Sequence, residues 1–242
     1  MKRLNWLVLL LVLPALVFVW QAGCEPEPEP EVMEPEENEP AVEDQVDLPE
    51  PVVEEKGVKE ALYERVSRRD YTDESLDLAT AGELLWAAGG IGVDAVTGAT
   101  RTAPSAGGTY PVDLYLVAGA VEDLEPGVYR YDHEKHSLEL SVEGDRRSEL
   151  ATAALDQQFI AEAPLNVVMV AHYERTTTTY GERGERYVHM DTGYASQNVY
   201  LLAEELGLGT VAIGAFDDEE VAEILATEGA PLMVMPVGEP RD

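Results

Sequence analysis

Five consecutive residues concentrate positive charge in a chain that carries little of it. The chain has 16 Lys and Arg residues against 48 Asp and Glu residues, a formal net charge of -32 at pH 7, yet residues 65–69 read Arg-Val-Ser-Arg-Arg. Such a protein repels anions at long range, so an anion site must gather guanidinium groups locally. Arginine donors, a serine hydroxyl and backbone N–H groups suit a phosphate. The alternative is a solvated charge run that balances neighbouring acids.

A second unusual segment, residues 104–108, reads Pro-Ser-Ala-Gly-Gly. Its two glycines and small side chains would allow the backbone to approach a flat ligand closely. An ordinary turn explains the glycines equally well. The sequence by itself leaves both interpretations open.

The histidines and the common catalytic motifs contribute little. His133 and His136 are three residues apart in a polar stretch without further ligand-like His or Cys nearby, which favours a solvated turn over a metal site. His172 and His189 stand alone, and we expect each to be hydrogen-bonded within the fold. No G-x-S-x-G, G-x-x-x-x-G-K-[ST] or strand-to-helix G-x-G-x-x-G motif is present. This weakens the serine hydrolase, P-loop and Rossmann dehydrogenase hypotheses.

Hydrophobic periodicity predicts the elements that must position these residues. Residues 187–206 predict a long central helix with Gly207 at its end and an apolar stripe made of Val188, Tyr194, Ala195, Val199, Leu202 and Leu206. Thr80-x-x-Glu83 resembles a capping box at the start of another helix. The full prediction has helices at 59–66, 80–88, 147–163 (a pair), 187–206 and 217–225, and strands at 112–121, 128–131, 137–141, 165–172 and 232–237. Their irregular alternation favours an α+β fold.

The N-terminus reads as a targeting segment. Lys2 and Arg3 precede an apolar run at 6–20, which is shorter than the roughly 20 residues of a spanning helix and is typical of a signal peptide over 1–23. Cys24, the single cysteine of the chain, is similar to the acylated cysteine of bacterial lipoproteins. We therefore expect a protein outside the cytoplasm, anchored to a membrane by a lipid on Cys24. An uncleaved N-terminal anchor is the alternative.

The remaining chain divides into a stalk and one domain. Residues 24–56 are rich in Glu and Pro, and like-charge repulsion together with the prolines predicts a disordered acidic stalk. Residues 57–242 have the length and apolar content of one folded domain. The large negative charge argues against nucleic acid as a partner.

An ordered series of short motifs carries a family resemblance. The segment 65–71 resembles the R-R-S-x-R-x-F/Y signature that opens nitroreductase-superfamily domains, with Val66 in place of the second arginine. Further segments are similar to the SagB-type dehydrogenase branch of that superfamily, namely 84–88, 101–111, 127–131, 180–187, 191–193, 197–198, 207–209, 213–218 and 236–238. The resemblance covers residues 58–242.

The resemblance implies a fold, a cofactor and a partner. The fold would be an α+β nitroreductase-like layered sheet flanked by helices, in an obligate homodimer with FMN in two clefts at the subunit interface. The residues implied at FMN are Arg65, Val66 (by its backbone), Ser67 and Arg69 at the phosphate and ribityl chain, Arg241 at the phosphate, Pro104, Ser105, Ala106 and Gly107 from the partner chain, Ile213 and Gly214 against the isoalloxazine ring, and Gln157 and Asn198 as further candidates. For Gln157 and Asn198, hydrogen bonding within the core is an equal alternative.

The resemblance also sets out three functions. The first is an exported, membrane-tethered FMN oxidoreductase that transfers electrons in a ping-pong scheme through bound flavin. The second is a lipoprotein that binds flavin, or another flat ligand, without redox turnover. The third is a thiazoline or oxazoline dehydrogenase acting on a peptide, with Tyr180 as a catalytic acid; azoline-oxidising relatives have a Lys-Tyr pair, and here Thr179 stands in place of the lysine.

Overall fold

The computed structural model describes residues 57–92 and 101–241. The predicted signal peptide over 1–23, the lipid site at Cys24 and the stalk over 24–56 lie outside the described residues. Among the residues described, we find no helix with the length and apolar character needed to cross a bilayer.

The described residues build one antiparallel sheet with helices on both faces. Its six strands lie in the order β3-β2-β1-β4-β6-β5, and every neighbouring pair is antiparallel. The strands are β1 (Val112–Ala118), β2 (Gly127–Asp132), β3 (Ser137–Glu143), β4 (Leu165–Ala171), β5 (Gly209–Thr210) and β6 (Ala230–Gly238). The helices are α1 (Val58–Glu64), α2 (Leu78–Gly89), α3 (Arg147–Ala153), α4 (Phe159–Glu162), α5 (Glu174–Tyr180), α6 (Arg183–Glu205) and α7 (Asp218–Leu225). The predicted α+β class is confirmed.

Two hydrophobic cores explain why the central strands are largely apolar. In β1, Leu114 and Leu116 face one core and Tyr115 and Val117 face the other, as the alternation of side chains along a strand requires. The first core is completed by α2 and α6, and the second by α3 and α7. Every residue of β4, at the centre of the sheet, is buried. A strand covered on both faces shows a continuous apolar run instead of strict alternation.

The second predicted helix begins before its predicted capping box. Helix α2 starts at Leu78, and the carboxylate of Asp77 accepts a hydrogen bond of 2.6 Å from the amide of Thr80. Because Asp77 already caps the third helical amide, Thr80 lies inside the first turn and the predicted capping box is wrong. The same hydrogen bond lowers the pKa of Asp77.

Helix α6 matches the long central helix of the prediction with two differences. It starts at Arg183, four residues earlier than the pattern indicates, and ends before Gly207, whose φ of 73° is the left-handed geometry that glycine favours there. Tyr194 and Leu206, predicted in its buried stripe, are 48% and 38% exposed, so that assignment is wrong for both. The buried face of α6 contains Val188, Asp191, Thr192, Ala195, Ser196, Val199 and Ala203.

Three elements were not predicted, the shortest helical one being a 3-10 turn at Ala106–Gly108. Helix α5 reads Glu-Arg-Thr-Thr-Thr-Thr-Tyr, and threonine is a weak helix former because its branched Cβ restricts the side chain. Strand β5 has only two residues, too few for a periodic signal, and pairs with β6 at Gly209 and Thr210. The predicted helical pair at 147–163 is confirmed as α3 and α4, and the strand pair joined by a turn is confirmed as β2 and β3.

Candidate functional site

The arginine loop, residues 65–70, leaves α1 and runs beside β5. The amide of Arg68 donates to the carbonyl oxygen of Thr210 over 3.0 Å, and Ser67 forms a parallel bridge with Thr210. Helix α1 packs on α6. The loop therefore lies where the end of the sheet meets the C-terminal half of α6.

Tyr200 of α6 fixes the arginine loop to the segment that follows β5. Its hydroxyl accepts a hydrogen bond from the amide of Ala212 over 2.8 Å and lies 2.9 Å from the Ser67 Oγ. Because the phenol oxygen already accepts from an amide, its own proton is available to Ser67. The sequence analysis did not identify Tyr200, since a tyrosine on a helical face gives no signal of its role as a bridge.

The cations of the arginine loop differ in their partners. The Arg65 guanidinium lies over the Tyr200 ring, 5.0 Å from its centroid. Within the described residues, neither Arg65 nor Arg69 forms an ion pair, whereas Arg68 is 3.8 Å from Glu204. Arg241 lies beside the loop, where its guanidinium is 3.4 Å from Asp70 and 3.7 Å from Asp73. An anion arriving here meets two arginines that no carboxylate neutralises and a third that must release its acids.

The segment 211–214 lies next to the arginine loop, because the Tyr200 hydroxyl contacts both. The amide of Ile213 donates to the carbonyl oxygen of Val234 over 2.9 Å, and Val234 returns a hydrogen bond of the same length. The Ile213 amide is thus engaged in the sheet, and the placement of Ile213 against a flavin ring stays a prediction. Gly214 is exposed, and the structure records no hydrogen bond for its amide within the described residues.

The glycine loop, residues 104–108, is attached to the N-terminal half of α6. The Ser105 Oγ donates to Asp191 over 2.6 Å, and the Ala106 amide donates to the same carboxylate over 3.2 Å. The Tyr110 amide in turn donates to the Ser105 Oγ over 2.9 Å. Burial raises the pKa of Asp191, although the hydrogen bonds from Ser105 and Ala106 oppose this shift. The Asp191 carboxylate therefore ties the loop to α6.

Gly107 brings the loop against Tyr180. Gly107 has φ of 62°, a left-handed conformation, and an added Cβ would lie 2.5 Å from the Tyr180 hydroxyl. Glycine is therefore required both by the backbone and by the contact. The Tyr180 ring also packs edge-on against Tyr187, with 5.1 Å between the ring centroids. Pro104 is exposed at the start of the loop and lines a small cavity with Ser105 and Asp191.

Gln157 and Asn198 use their amide groups on the backbone. The Gln157 side chain donates to Ala154 over 2.7 Å and to Ala215 over 3.2 Å. The Asn198 side chain donates to Ala87 over 2.9 Å, which ties α6 to α2. These contacts are the core hydrogen bonds that the sequence left as an alternative. Their roles at a flavin stay predictions.

The structure gathers the predicted residues into two groups. Arg65, Ser67, Arg69, Arg241, Ile213 and Gly214 lie around the arginine loop, and Pro104, Ser105, Ala106, Gly107 and Tyr180 lie around the glycine loop. Asp191 and Tyr200, which hold the two loops, are nine residues apart on α6, or about 13.5 Å along the helix axis. Within one chain the two groups are therefore neighbours along one helix and do not form a single cluster.

Three of the histidines lie within hydrogen-bond distance of an arginine or a tyrosine side chain. His133 lies 2.7 Å from an Arg101 nitrogen, His136 lies 2.8 Å from the Tyr131 hydroxyl, and His189 lies 2.6 Å from the Tyr173 hydroxyl. Among the described residues, no three His, Cys, Asp or Glu side chains are grouped as a metal would require.

Comparison with known proteins adds to this geometry. A model of the nitroreductase family matches residues 62–239. A Methanocaldococcus jannaschii protein named as a nitroreductase, MJ1384, is 45% identical over 195 residues, which are 81% of this chain and 97% of that protein. The microcin B17-processing protein McbC of Escherichia coli is 27% identical over 154 residues, 59% of this chain and 55% of McbC.

Solved structures show the same fold. A crystal structure described as a nitroreductase from Ralstonia eutropha superposes with a TM-score of 0.66 at 31% identity, over 81% of this chain and 89% of that chain. The E. coli microcin synthetase McbBCD complex, solved with truncated pro-MccB17 bound, superposes with a TM-score of 0.63 at 23% identity, over 83% of this chain and 80% of that chain.

Proposed function

Because this chain belongs to the nitroreductase family, an oxidoreductase family whose members generally use flavin, we propose that it is an FMN-dependent oxidoreductase. The observation that carries the proposal is the arginine loop, where Arg65 and Arg69 have no carboxylate partner within the described residues and Tyr200 ties the loop to the exposed Gly214 segment. FMN has a phosphate and a planar ring, so its binding site needs positive charge and exposed backbone next to each other.

The donors at the arginine loop fit the FMN phosphate. Guanidinium groups bind phosphate in a bidentate manner, and the Ser67 hydroxyl adds a further donor. The Arg65 ring contact with Tyr200 holds one guanidinium in place without consuming its positive charge. Bound FMN would supply the redox chemistry, while the chain binds it, orients it and presents the Gly214 amide to its ring.

We further propose that the protein acts as a homodimer in which the glycine loop lines the flavin of the partner subunit. Proteins of this fold are commonly dimeric. Met190 and Tyr194 are 47% and 48% exposed on α6, and Gly193 between them has no neighbour within 4 Å of an added Cβ. An apolar, open helix face between the two loops offers a surface for a second copy. Replacing Tyr194 with Glu should shift the mass measured by light scattering from dimer to monomer and release FMN.

A visible absorption spectrum tests whether the chain binds FMN. The purified chain should absorb near the flavin bands, lose that absorption with dithionite, and recover it in air. Colourless protein that stays colourless after incubation with FMN and desalting would refute the proposal. The non-redox alternative, a lipoprotein that only holds flavin, predicts a yellow protein whose flavin no candidate donor reduces in stopped-flow experiments.

A peptide azoline dehydrogenase is the second candidate function. Two observations favour it: the similarity to McbC, named for microcin B17 processing, and the position of Tyr180 against the glycine loop. Tyr180 would then act as an acid at the substrate. Replacing Tyr180 with Phe should lower the oxidation of an azoline peptide by about 100-fold, with Tyr63→Phe as the control on an exposed tyrosine. Unchanged oxidation in the Tyr180 variant would remove Tyr180 from this role.

The location of the protein is a separate proposal from the sequence. Lys2, Arg3, the apolar run at 6–20 and Cys24 support export and acylation. Membrane fractionation and mass spectrometry of the N-terminal peptide would check this. A Cys24→Ser variant should lose the lipid mass and appear in the soluble fraction.

A further inference from the structure

A second cavity lies next to the one beside the glycine loop. It has a volume of about 290 Å³ and lies between β1, β2 and the residues that precede the glycine loop. Arg101, Val112 and Leu114 line both cavities. The remaining residues of the larger cavity are Asp113, Arg130, Tyr131, Asp132, His133, Glu134, Glu139 and Arg175. Three arginines in one cavity are unusual in a chain this acidic.

Two of the three arginines are neutralised by carboxylates. Arg175 makes a bidentate pair with Asp113, with distances of 2.6 and 3.1 Å. Arg130 is 3.5 Å from Asp113 and 3.8 Å from Glu139. Although burial raises the pKa of Asp113, the hydrogen bonds and charge of Arg175 bring it below its ordinary value. These residues form a closed ion-pair network that has little charge left for a ligand.

Arg101, the third arginine, has no hydrogen bond or ion pair to a carboxylate among the described residues, although the charges of Asp113 and Glu134 act on it through space. Its Nη2 is 2.7 Å from the Nε2 of His133, and its guanidinium lies over the Tyr110 ring at 4.4 Å from the centroid. Burial lowers its pKa, which reports the cost of holding this charge away from water. A guanidinium remains charged nevertheless.

His133 supports Arg101 without adding charge. Burial and the neighbouring Arg101 both lower the pKa of His133 below its ordinary value of 6.5. The imidazole is therefore neutral near pH 7 and accepts a hydrogen bond from the guanidinium. Of the acids that line the cavity, Asp132 pairs with Lys135 at 2.6 Å, and Glu134 is exposed. Among the described residues that line the cavity, Arg101 is the one arginine with no carboxylate in contact, and the exposed Glu134 acts on it at a distance.

We propose that Arg101 receives the carboxylate of the ligand that exchanges electrons with the flavin, and that this ligand is a small anion. The stacked guanidinium keeps its planar donors pointing in one plane, and Val112 and Leu114 continue the lining into the cavity beside the glycine loop. The inference rests on the proposed function, because the glycine loop is what places this cavity beside a flavin.

Calorimetric titration of the purified chain with benzoate and with benzamide tests the proposal. The two probes share a ring and differ by one charge. Benzoate should bind about tenfold more tightly, since a charge-assisted hydrogen bond is the stronger kind. Arg101→Gln should reduce this preference to less than about threefold, and Arg101→Lys should retain part of it. Arg146→Gln, on a half-buried arginine outside the cavity that pairs with Glu149 at 2.9 Å, is the matched control and should keep the full preference.

The possible outcomes separate this inference from the cofactor proposal. Equal binding of benzoate and benzamide, or a preference that survives in Arg101→Gln, overturns the anion site even if the protein is yellow. A colourless protein that distinguishes the probes through Arg101 refutes the flavin proposal and leaves the anion site in place. Phenyl phosphate as a third probe tells a carboxylate site from a phosphate site, and tighter binding of phenyl phosphate would overturn the assignment to carboxylates.

Discussion

The two loops held by α6 are fixed in opposite ways. The glycine loop is attached by short hydrogen bonds to the buried carboxylate of Asp191 and has no charged side chain of its own. The arginine loop is attached through the Tyr200 hydroxyl, and its Arg65 and Arg69 have no carboxylate partner within the described residues. One loop therefore supplies a fixed shape and the other supplies charge. We infer that the affinity for FMN comes from the arginine loop and its placement from the glycine loop.

The largest effect should follow from removing the charge. In Arg65→Gln/Arg69→Gln, two charge-assisted hydrogen bonds to phosphate are lost at about 1.5 kcal/mol or more each, so FMN should bind about 100-fold more weakly. Riboflavin, which has no phosphate, should bind the variant and the wild type alike. Fluorescence titration of both flavins measures this. Arg68→Gln, in the same loop but paired with Glu204, is the matched control.

If the double variant binds riboflavin and FMN with equally reduced affinity, the arginines act on the fold of the loop and not on the phosphate. The contrast between a charged arginine loop and an uncharged glycine loop would then be wrong. It also fails if Arg68→Gln weakens FMN as strongly as the double variant does.

The next effect should come from disturbing the shape of the glycine loop. Gly107→Ala places a methyl group 2.5 Å from the Tyr180 hydroxyl at a φ of 62°. The left-handed conformation costs about 1 kcal/mol for alanine, and displacement of Tyr180 should add about 1 kcal/mol. Urea denaturation measures the loss in the free energy of unfolding. Gly144→Ala, with φ of 87° and no neighbour within 4 Å, isolates the backbone cost alone.

Repeating Gly107→Ala in a Tyr180→Phe variant separates the cost of the contact with Tyr180 from the cost of the backbone conformation. In Tyr180→Phe the hydroxyl that lies 2.5 Å from the new methyl group is absent and the nearest ring carbons are 3.2 and 3.3 Å away, so Gly107→Ala should cost less there than in the wild type. Equal costs of Gly107→Ala in both backgrounds would show that Tyr180 does not constrain the loop.

The attachment of the arginine loop should be weaker than that of the glycine loop. Tyr200→Phe removes the hydroxyl that bonds to Ser67 and Ala212, which should lower the free energy of unfolding by about 1 kcal/mol. Tyr63→Phe, on a tyrosine that is 66% exposed, should change it by less than about 0.5 kcal/mol. A loss in Tyr200→Phe larger than that in Gly107→Ala would reverse the order we assign to the two loops.

The sequence predicts the two loops, but it does not predict the residues that attach them to α6. Short-range patterns identify residues 65–69 and 104–108, because composition and glycine spacing are local properties. They give no role to Asp191 and Arg101, although both stand in segments that carry the family resemblance, or to Tyr200, because these roles arise from contacts between residues far apart in the chain. The same limit explains Tyr194, which the apolar period of α6 placed in the core and which the structure exposes.

The smallest effect concerns the pH dependence of the glycine-loop carboxylate. Burial raises the pKa of Asp191 above 3.8, so the folded state binds this proton more tightly than the unfolded state does. The stability contributed by protonated Asp191 is complete below the unfolded pKa and is lost as the pH rises through the folded pKa. Relative to the wild type, Asp191→Asn should therefore become more stable as the pH rises from the ordinary aspartate range towards neutrality.

Asp113 provides the opposite case in the same protein. Despite burial, Arg175 brings its pKa below 3.8, so its contribution is present above the unfolded pKa and is lost as the pH falls through the folded pKa. Relative to the wild type, Asp113→Asn should become less stable as the pH rises through the interval below the ordinary aspartate value of 3.8, whereas the change in Asp191→Asn lies above that value. Urea denaturation of the three proteins at a series of pH values measures both slopes. Slopes of the same sign would mean that Asp191 is not a buried carboxylate holding the glycine loop, and the contrast between a fixed and a charged loop would lose its basis.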